Sequence, residues 1–513
     1  LTEYRTSEAD DAAPSPYGSN SMDSVGALRQ SAATSAKWGF ISTAGGLGGR
    51  LLFTFALARW IGPDSFGIAA QAMIYLTLIL LLVDQGFGAA LVQRKQVDRL
   101  DVGSVTVLNL GLAAALVLAT FALSPAVSDF FGTPELRAVL QVLCVSVVVK
   151  AMAVAPMALA RRKLRYRAIA MVQIVSVCVG GTFGIVGAVS GAGYWALVIQ
   201  TVLADTVMLA GLLLIEGPPV LRMSTERLRA MWAFSLGLLG ARMLGFVRTN
   251  ADNVLIGWRE PAAELAFYGL AYRLLRMPIQ MFGSVVNDVA LPIYSRLQDD
   301  VTRMRSWFLI SSQVLALVTF PFMTYLILVS PAAIPAAFGD RWAPAVLPLQ
   351  LLAVAGYFAI CQGAWSPLCT AIGRTDAVFR WGLILVVVTV IGFGIGIWWG
   401  INGVALSYAC TQAIMLVPIV HALGKLVDLS VKQYFSTLLA PSGACVALAA
   451  AYVAVEALLE GEGFHALGSA GVATVLSAIA YIAALRVLWP STFETALTVL
   501  RSMGKESIQP DLG

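Results

Sequence analysis

Apolar residues in this chain come in long blocks, not in the stripes of a surface helix or the alternation of a half-buried strand. After about thirty mostly polar residues, windows of roughly twenty nearly continuous apolar residues follow one another to residue 488, divided by short polar loops. A window of that length is what a helix needs to cross a bilayer. Backbone in hydrocarbon must satisfy its own hydrogen bonds, and unbroken apolar runs point to helices, not to a closed barrel. The pattern predicts fourteen spanning helices, near 38–60, 67–92, 103–127, 138–160, 168–189, 193–215, 231–257, 264–293, 307–330, 345–370, 377–399, 402–422, 437–457 and 468–488.

The loops sort by charge. One set carries Arg94, Lys95 and Arg99, then Arg161, Arg162, Lys163, Arg165 and Arg167, then Arg222, Arg227 and Arg229. The same set continues with Arg296, Arg303 and Arg305, with Arg374 and Arg380, and with Lys425 and Lys432. The alternate loops hold single basic residues such as Arg259 or Arg341 and are richer in acids such as Glu260, Glu264, Glu460 and Glu462. Basic loops stay in the cytoplasm, so an even number of crossings with both termini cytoplasmic is expected. The polar first thirty residues lack the short apolar core of a signal peptide and read as a disordered tail.

Composition narrows the class. Hydrophobic residues make up 58% of the chain, charged residues 12%, and mean hydropathy is +0.80. Soluble domains carry about a quarter charged residues, so a polytopic membrane protein is the expected class, with membrane lipids as partners and no nucleic acid. The six cysteines (Cys144, Cys178, Cys361, Cys369, Cys410, Cys445) fall in apolar segments and read as packing residues. His421 and His465 are the only histidines, and no set of ligands has metal spacing. No phosphate-binding GxxxxGK[ST] loop occurs. Neither a metal nor a cofactor is expected, and energy would come from an ion gradient, from the substrate gradient or from downstream consumption, with a proton or sodium ion as the candidate coupling ion.

The chain also repeats itself. The first span opens on Lys37-Trp38-Gly39-Phe40 and closes on Trp60-Ile61-Gly62, with Phe66-Gly67 beyond; the seventh opens on Met231-Trp232-Ala233-Phe234 and closes on Leu255-Ile256-Gly257, with Tyr268-Gly269 beyond. Each copy has an arginine in its first half, Arg50 and Arg242. Six helices separate them, so the two halves would be related by an axis along the membrane normal, with substrate at their interface.

Residues 232–297 stand out because an otherwise apolar stretch carries Arg242, Arg248, Asp252, Arg273, Arg276 and Asp288. Ionisable groups at that depth cost several kcal/mol unless they face protein or water. Arg50, Lys150, Arg242, Arg248, Arg273 and Arg276 are therefore the candidate anion-binding residues, arginine suiting phosphate through its planar, permanently charged fork. Arg273 and Arg276 are three apart and share a helix face. Arg248 and Asp252 are four apart and could pair, which ranks Arg248 lower. Lys150 has Asp84 or Asp205 as a potential partner. Asp252, Asp288, Asp84 and Asp205 are the candidate ion-coupling or charge-balancing acids. The bland alternative for each arginine is a charge snorkelling from a helix end, and for residues 161–167 a lipid-facing anchor.

Several motifs carry a family resemblance. They are Ala58-Arg59-Trp60-Ile61-Gly62-Pro63-Asp64-Ser65-Phe66-Gly67, Asp84-Gln85-Gly86-Phe87-Gly88, Gly191-Ala192-Gly193-Tyr194-Trp195, Asp252-Asn253-Val254-Leu255-Ile256-Gly257, Phe267-Tyr268-Gly269-Leu270-Ala271-Tyr272-Arg273, Leu291-Pro292-Ile293-Tyr294-Ser295-Arg296 and Phe338-Gly339-Asp340-Arg341-Trp342. Together they resemble the Wzx-type polysaccharide flippases of the multidrug/oligosaccharidyl-lipid/polysaccharide exporter superfamily. The resemblance implies an all-α integral membrane fold of about fourteen helices, two six-helix lobes in a V plus two C-terminal helices. On that plan residues 1–36 form the tail, 37–222 the N-lobe, 223–424 the C-lobe, 425–488 the accessory pair and 489–513 a cytoplasmic C-terminal tail. It also implies a monomer in the bacterial cytoplasmic membrane that moves a polyprenyl-diphosphate-linked oligosaccharide from the inner to the outer leaflet, working beside a polysaccharide polymerase and export machinery. Cation-coupled drug efflux by a MATE-like exporter is the alternative within the superfamily; a membrane polymerase or ligase is the alternative from another class. The first is a poor match for a cationic cavity, and the second needs long extracytoplasmic loops, so no enzymatic activity is expected.

Overall fold

A computed structural model describes residues 21–83, 86–94, 96–461 and 466–504. Among the described residues every regular element is helical. The first helix, α1 (Ser21–Val83), is two arms joined at a sharp bend. Gly62 there has φ +74°, a conformation that strains any side chain, and Pro63 has no N–H to bond the preceding turn. The order then runs α2 (Phe87–Gln93), α3 (Arg99–Phe131), α4 (Leu136–Arg162), α5 (Tyr166–Val189) and α6 (Trp195–Glu216). It continues with α7 (Thr225–Arg259), α8 (Ala262–Arg296), α9 (Val301–Phe338), α10 (Val346–Cys361), α11 (Trp365–Ala371), α12 (Thr375–Gly396) and α13 (Gly400–Val427). The last three are α14 (Val431–Gly461), α15 (Ala466–Leu488) and α16 (Pro490–Gly504).

Ten stretches among the described residues are long and apolar enough to cross a membrane by length and composition. One of them, Thr375–Val427, is 53 residues long and comprises α12 and α13. The two turn back on each other: a side-chain carbon on Gly403 would lie 2.1 Å from the Gly396 carbonyl oxygen, and one on Gly392 would lie 2.9 Å from Thr411 Oγ1. Helices α7 and α8 carry Arg242, Arg248, Asp252, Arg273 and Arg276, so they suit a place where protein and water cover part of their surface.

Four buried clusters hold the helices, the smallest joining α4, α5 and α6 through Ala160, Ile169 and Leu212. The largest joins the bend of α1 to α8, α9, α10, α13 and α14 through Leu57, Phe66, Tyr268, Phe308, Leu352 and Tyr434. A second packs the lower arm of α1 against α3, α4 and α6 through Leu76, Ala113, Leu140 and Val198. A third ties the start of α7 to α2, α3 and α4 through Leu228, Met231, Phe87, Val105 and Ala155. The last pair, α14 and α15, pack on each other and on α9, where the Tyr481 hydroxyl donates to the Leu317 carbonyl at 2.7 Å.

Outward-facing side chains are what lipid requires. Phe121, Phe183, Val186, Ile391, Val446 and Ile479 are all exposed, and no soluble protein presents so much apolar surface. Trp60, Trp258, Trp398 and Trp399 are exposed at one set of helix ends, the placement of an interfacial aromatic belt. The Arg259 guanidinium lies 3.9 Å over the Trp398 ring in that belt.

Two segments differ from expectation. Helix α1 starts at Ser21, inside the stretch 1–36 read as disordered, where Ala27, Leu28, Arg29 and Gln30 are good helix formers; residues 1–20 lie outside the described ones. Helix α16 occupies much of the expected C-terminal tail at 489–513 and has one apolar side, with Phe493 packed against the large core.

Candidate functional site

The end of the molecule carrying the basic loops is termed the basic face. There the start of α7 is fastened to the first six helices. Arg227 pairs with Asp98 at 3.2 Å and with Asp101 at 3.7 Å, Arg94 pairs with Asp101 at 2.6 Å, and the Ser224 amide donates to Ser104 Oγ at 2.8 Å. Asp98 and Asp101 form a reciprocal capping box at the head of α3. The Asp101 backbone amide, with Arg227 nearby, holds the Asp98 carboxyl below the usual carboxylate range.

Directly inside this anchor is a cavity of about 330 Å³ walled by α2, α4, α5, α6 and α7. Along α4 its lining recurs at helical spacing, from Arg161 at the basic end through Met157 and Val154 to Lys150. Lys150 Nζ is 3.0 Å from Asp205 Oδ1 of α6, one of its two expected partners; the other, Asp84, lies outside the described residues. Arg242 reaches the same cavity from α7, and Gln173 and Ser176 of α5 complete its polar lining. Among the described residues, three cations and one carboxylate line it.

A second polar cluster lies in the other half. Asp252 is 1% exposed; its Oδ2 accepts from the Tyr268 hydroxyl at 2.9 Å, and Oδ1 from the amide and Nδ2 of Asn253 at 2.8 and 3.2 Å. Tyr268 stacks on Tyr272 with ring centroids 5.9 Å apart, and Tyr272 meets Tyr408 edge-on at 6.3 Å. The Arg276 guanidinium lies 5.6 Å from the Tyr272 ring centroid. Arg248 and Arg276 both lie near Tyr272 and Tyr408. Gln412 donates to the Tyr408 hydroxyl at 3.2 Å.

On the opposite face the two halves meet without a gap. A side-chain carbon on Gly67 would lie 1.8 Å from the Ala262 carbonyl oxygen, so α1 and the head of α8 touch backbone to backbone. Phe66 sits edge-on against Trp342 at 5.4 Å. Trp342 Nε1 donates to the Ala58 carbonyl at 3.0 Å. Arg59 donates to the Ala336 and Ala337 carbonyls at 2.8 and 3.1 Å, capping the negative end of α9. Two resemblance motifs, one around Arg59 and Phe66 and one around Trp342, thus form a single seal.

The structure brings Lys150, Asp205 and Arg242 together at the first site and Arg248, Asp252 and Arg276 at the second. Two expectations are corrected. No ion pair joins Arg248 to Asp252, because tyrosine and asparagine donors take up both carboxylate oxygens. Arg273 and Arg276 meet different neighbours: the Arg273 guanidinium lies 5.3 Å from the Phe66 ring centroid, at the seal, and that of Arg276 lies beside Tyr272. Asp84 lies outside the described residues, as do the side chains of Arg50 and Asp288. The sequence reads Arg161 only as part of the basic run 161–167, a membrane anchor that could also meet an incoming anion, and it does not single out Gln173, Ser176 or the tyrosines 268, 272 and 408. Tyr268 and Tyr272 are four apart within a quoted motif, a signal that was available; the others depend on tertiary packing.

A many-helix membrane protein with a charged internal cavity and one sealed face has the architecture of a transporter. The chain belongs to the polysaccharide biosynthesis protein family, whose model matches residues 56–347. It is 26% identical to the lipopolysaccharide biosynthesis protein WzxC of Escherichia coli K12 over 75% of this chain and 80% of that one. It is 26% identical to the succinoglycan biosynthesis transport protein ExoT of Rhizobium meliloti 1021, over 69% and 72%, and 24% identical to the teichuronic acid biosynthesis protein TuaB of Bacillus subtilis 168, over 80% and 86%. Its fold is that of the lipid II flippase MurJ in an inward closed conformation, with TM-score 0.70, 14% identity, and coverage of 89% of this chain and 99% of that one. An inward-facing MATE transporter shares the fold at TM-score 0.53 and 15% identity, over 74% and 96%. The resemblance read from the motifs is borne out.

Proposed function

We propose that this protein flips a polyprenyl-diphosphate-linked glycan from the cytoplasmic to the outer leaflet by alternating access, within fourteen spans arranged as two six-helix lobes and an accessory pair. The observation that carries the reading is the cavity holding Lys150, Arg161 and Arg242, which runs inward from the basic face. By the positive-inside rule that face is cytoplasmic. A compact dianion cannot cross hydrocarbon uncompensated, and these three cations supply the compensation along its path. The polyprenyl tail stays in lipid while the head group enters. The seal at Arg59, Phe66 and Trp342 then closes the outer side during loading, and rocking of the two halves breaks it for release. Arg248 and Arg276 continue the positive path in the second half, and Asp252 is the group placed to couple movement to a proton or sodium ion. Polymerase and export machinery consume the released glycan. A cationic drug would be repelled by this cavity.

Deleting the gene and measuring polyprenyl-linked species by mass spectrometry tests the reading. Accumulation of one diphosphate-linked glycan with loss of a surface polysaccharide is expected. An unchanged lipid-linked pool with intact surface glycan would contradict it.

A further inference from the structure

One member of the cavity is not needed to bind an anion and in fact opposes it. The Asp205 side chain is 10% exposed, and only its Oδ1 meets Lys150. Its Oδ2 is buried with no hydrogen-bond partner. A buried acceptor left without a donor is costly, and more so when charged. A donor entering the cavity that Asp205 lines relieves that cost once the carboxylate turns toward it.

A diphosphate cannot be the missing partner. Its oxygens are anionic acceptors, which a carboxylate repels. What Asp205 lacks is a neutral donor, and what Lys150 beside it offers is a donor in search of an acceptor. A sugar hydroxyl is both, so neighbouring ring hydroxyls answer the two residues at once. Position agrees with chemistry. Arg161 and Lys150 are eleven residues apart on α4, a separation of about 16 Å at ~1.5 Å per residue. A lipid-anchored diphosphate sits at head-group level, near Arg161, and whatever it carries extends inward toward Lys150 and Asp205. Gln173 and Ser176 flank that inner end with uncharged polar groups, and the Ser176 hydroxyl, already donating to the Gln173 carbonyl at 2.8 Å, keeps its lone pairs for a ligand.

We propose that Asp205, paired with Lys150, recognises the sugar nearest the diphosphate by accepting hydrogen bonds from its hydroxyls. This rests on the lipid-linked glycan reading above. The test uses the full chain in detergent, titrated with geranyl diphosphate and with its glucosyl, galactosyl and N-acetylglucosaminyl derivatives. In the wild type at least one glycosyl probe should bind about tenfold tighter than the bare diphosphate, the value of one charged hydrogen bond. Asp205→Asn should erase that gain while binding the bare probe at least as tightly, since a repelling charge has gone. Asp205→Glu, which keeps the charged acceptor that asparagine lacks, should retain part of the gain. A gain that survives in Asp205→Asn overturns the proposal. So does equal weakening of all probes, which is what a packing defect gives, and so does a wild type that binds the bare probe without any glycosyl gain. A wild type that binds none of the probes removes the flippase reading itself, and this inference with it.

Discussion

Asp252 is a carboxylate at membrane depth whose partners are hydroxyl and amide donors rather than an arginine. The Tyr268 hydroxyl and two Asn253 nitrogens hold it, while Arg276 acts on it from further away. A group held this way keeps the freedom to exchange a bound cation or proton without dismantling an ion pair, unlike Asp205 with Lys150. Asp252→Asn replaces one acceptor oxygen with a donor while keeping the size. Transport in that variant is expected to lose its dependence on an imposed ion gradient, read in vesicles with and without ionophore. Unchanged dependence would remove Asp252 from coupling. The sequence offered four acids for this role, and spacing alone favoured pairing Asp252 with Arg248. Tyr268 decides the matter from the next helix, and that contact was not visible in local periodicity.

Among the elements, the bend of α1 and the turn between α9 and α10 make one device. Gly62 and Pro63 break α1 where its carbonyls become available, and Trp342 and Arg59 use them and the end of α9 to tie the halves together. Trp342→Phe removes one hydrogen bond between neutral groups, worth about 1 kcal/mol, and leaves the Ala58 carbonyl unpaired. The sealed state should lose roughly fivefold in population against the open one. Labelling of a cysteine placed at Ser65 with a membrane-impermeant maleimide from the outside should rise by a similar factor. An unchanged labelling rate would mean that the seal does not govern opening. The motifs around Arg59 and Trp342 were legible as family marks long before their joint purpose was, since 284 residues separate the two partners of that hydrogen bond.

Seen as a whole, the molecule is organised by where charge is allowed to be. Apolar blocks mark the helices and basic loops carry the sidedness proposed for them, because lipid and membrane potential act on each segment separately. What remained hidden was which charges share a space. Lys150, Asp205 and Arg242 stand on three helices and meet because α7 is pinned to the first half by Arg227, Asp98 and Asp101 and by the cluster around Leu228 and Met231. Helices α7 and α8 are the least lipid-like of the long helices for the same reason: their charged residues serve an interior. The most direct test is reconstitution of the purified chain into liposomes holding a fluorescent polyprenyl-diphosphate glycan, with leaflet exposure followed by an impermeant quencher. The wild type should move the glycan between leaflets, and Arg242→Ala, inserted to the same level, should slow that movement by at least about tenfold, one charge-assisted contact. Equal rates for the two proteins, or a wild-type rate no greater than that of empty liposomes, would contradict the account.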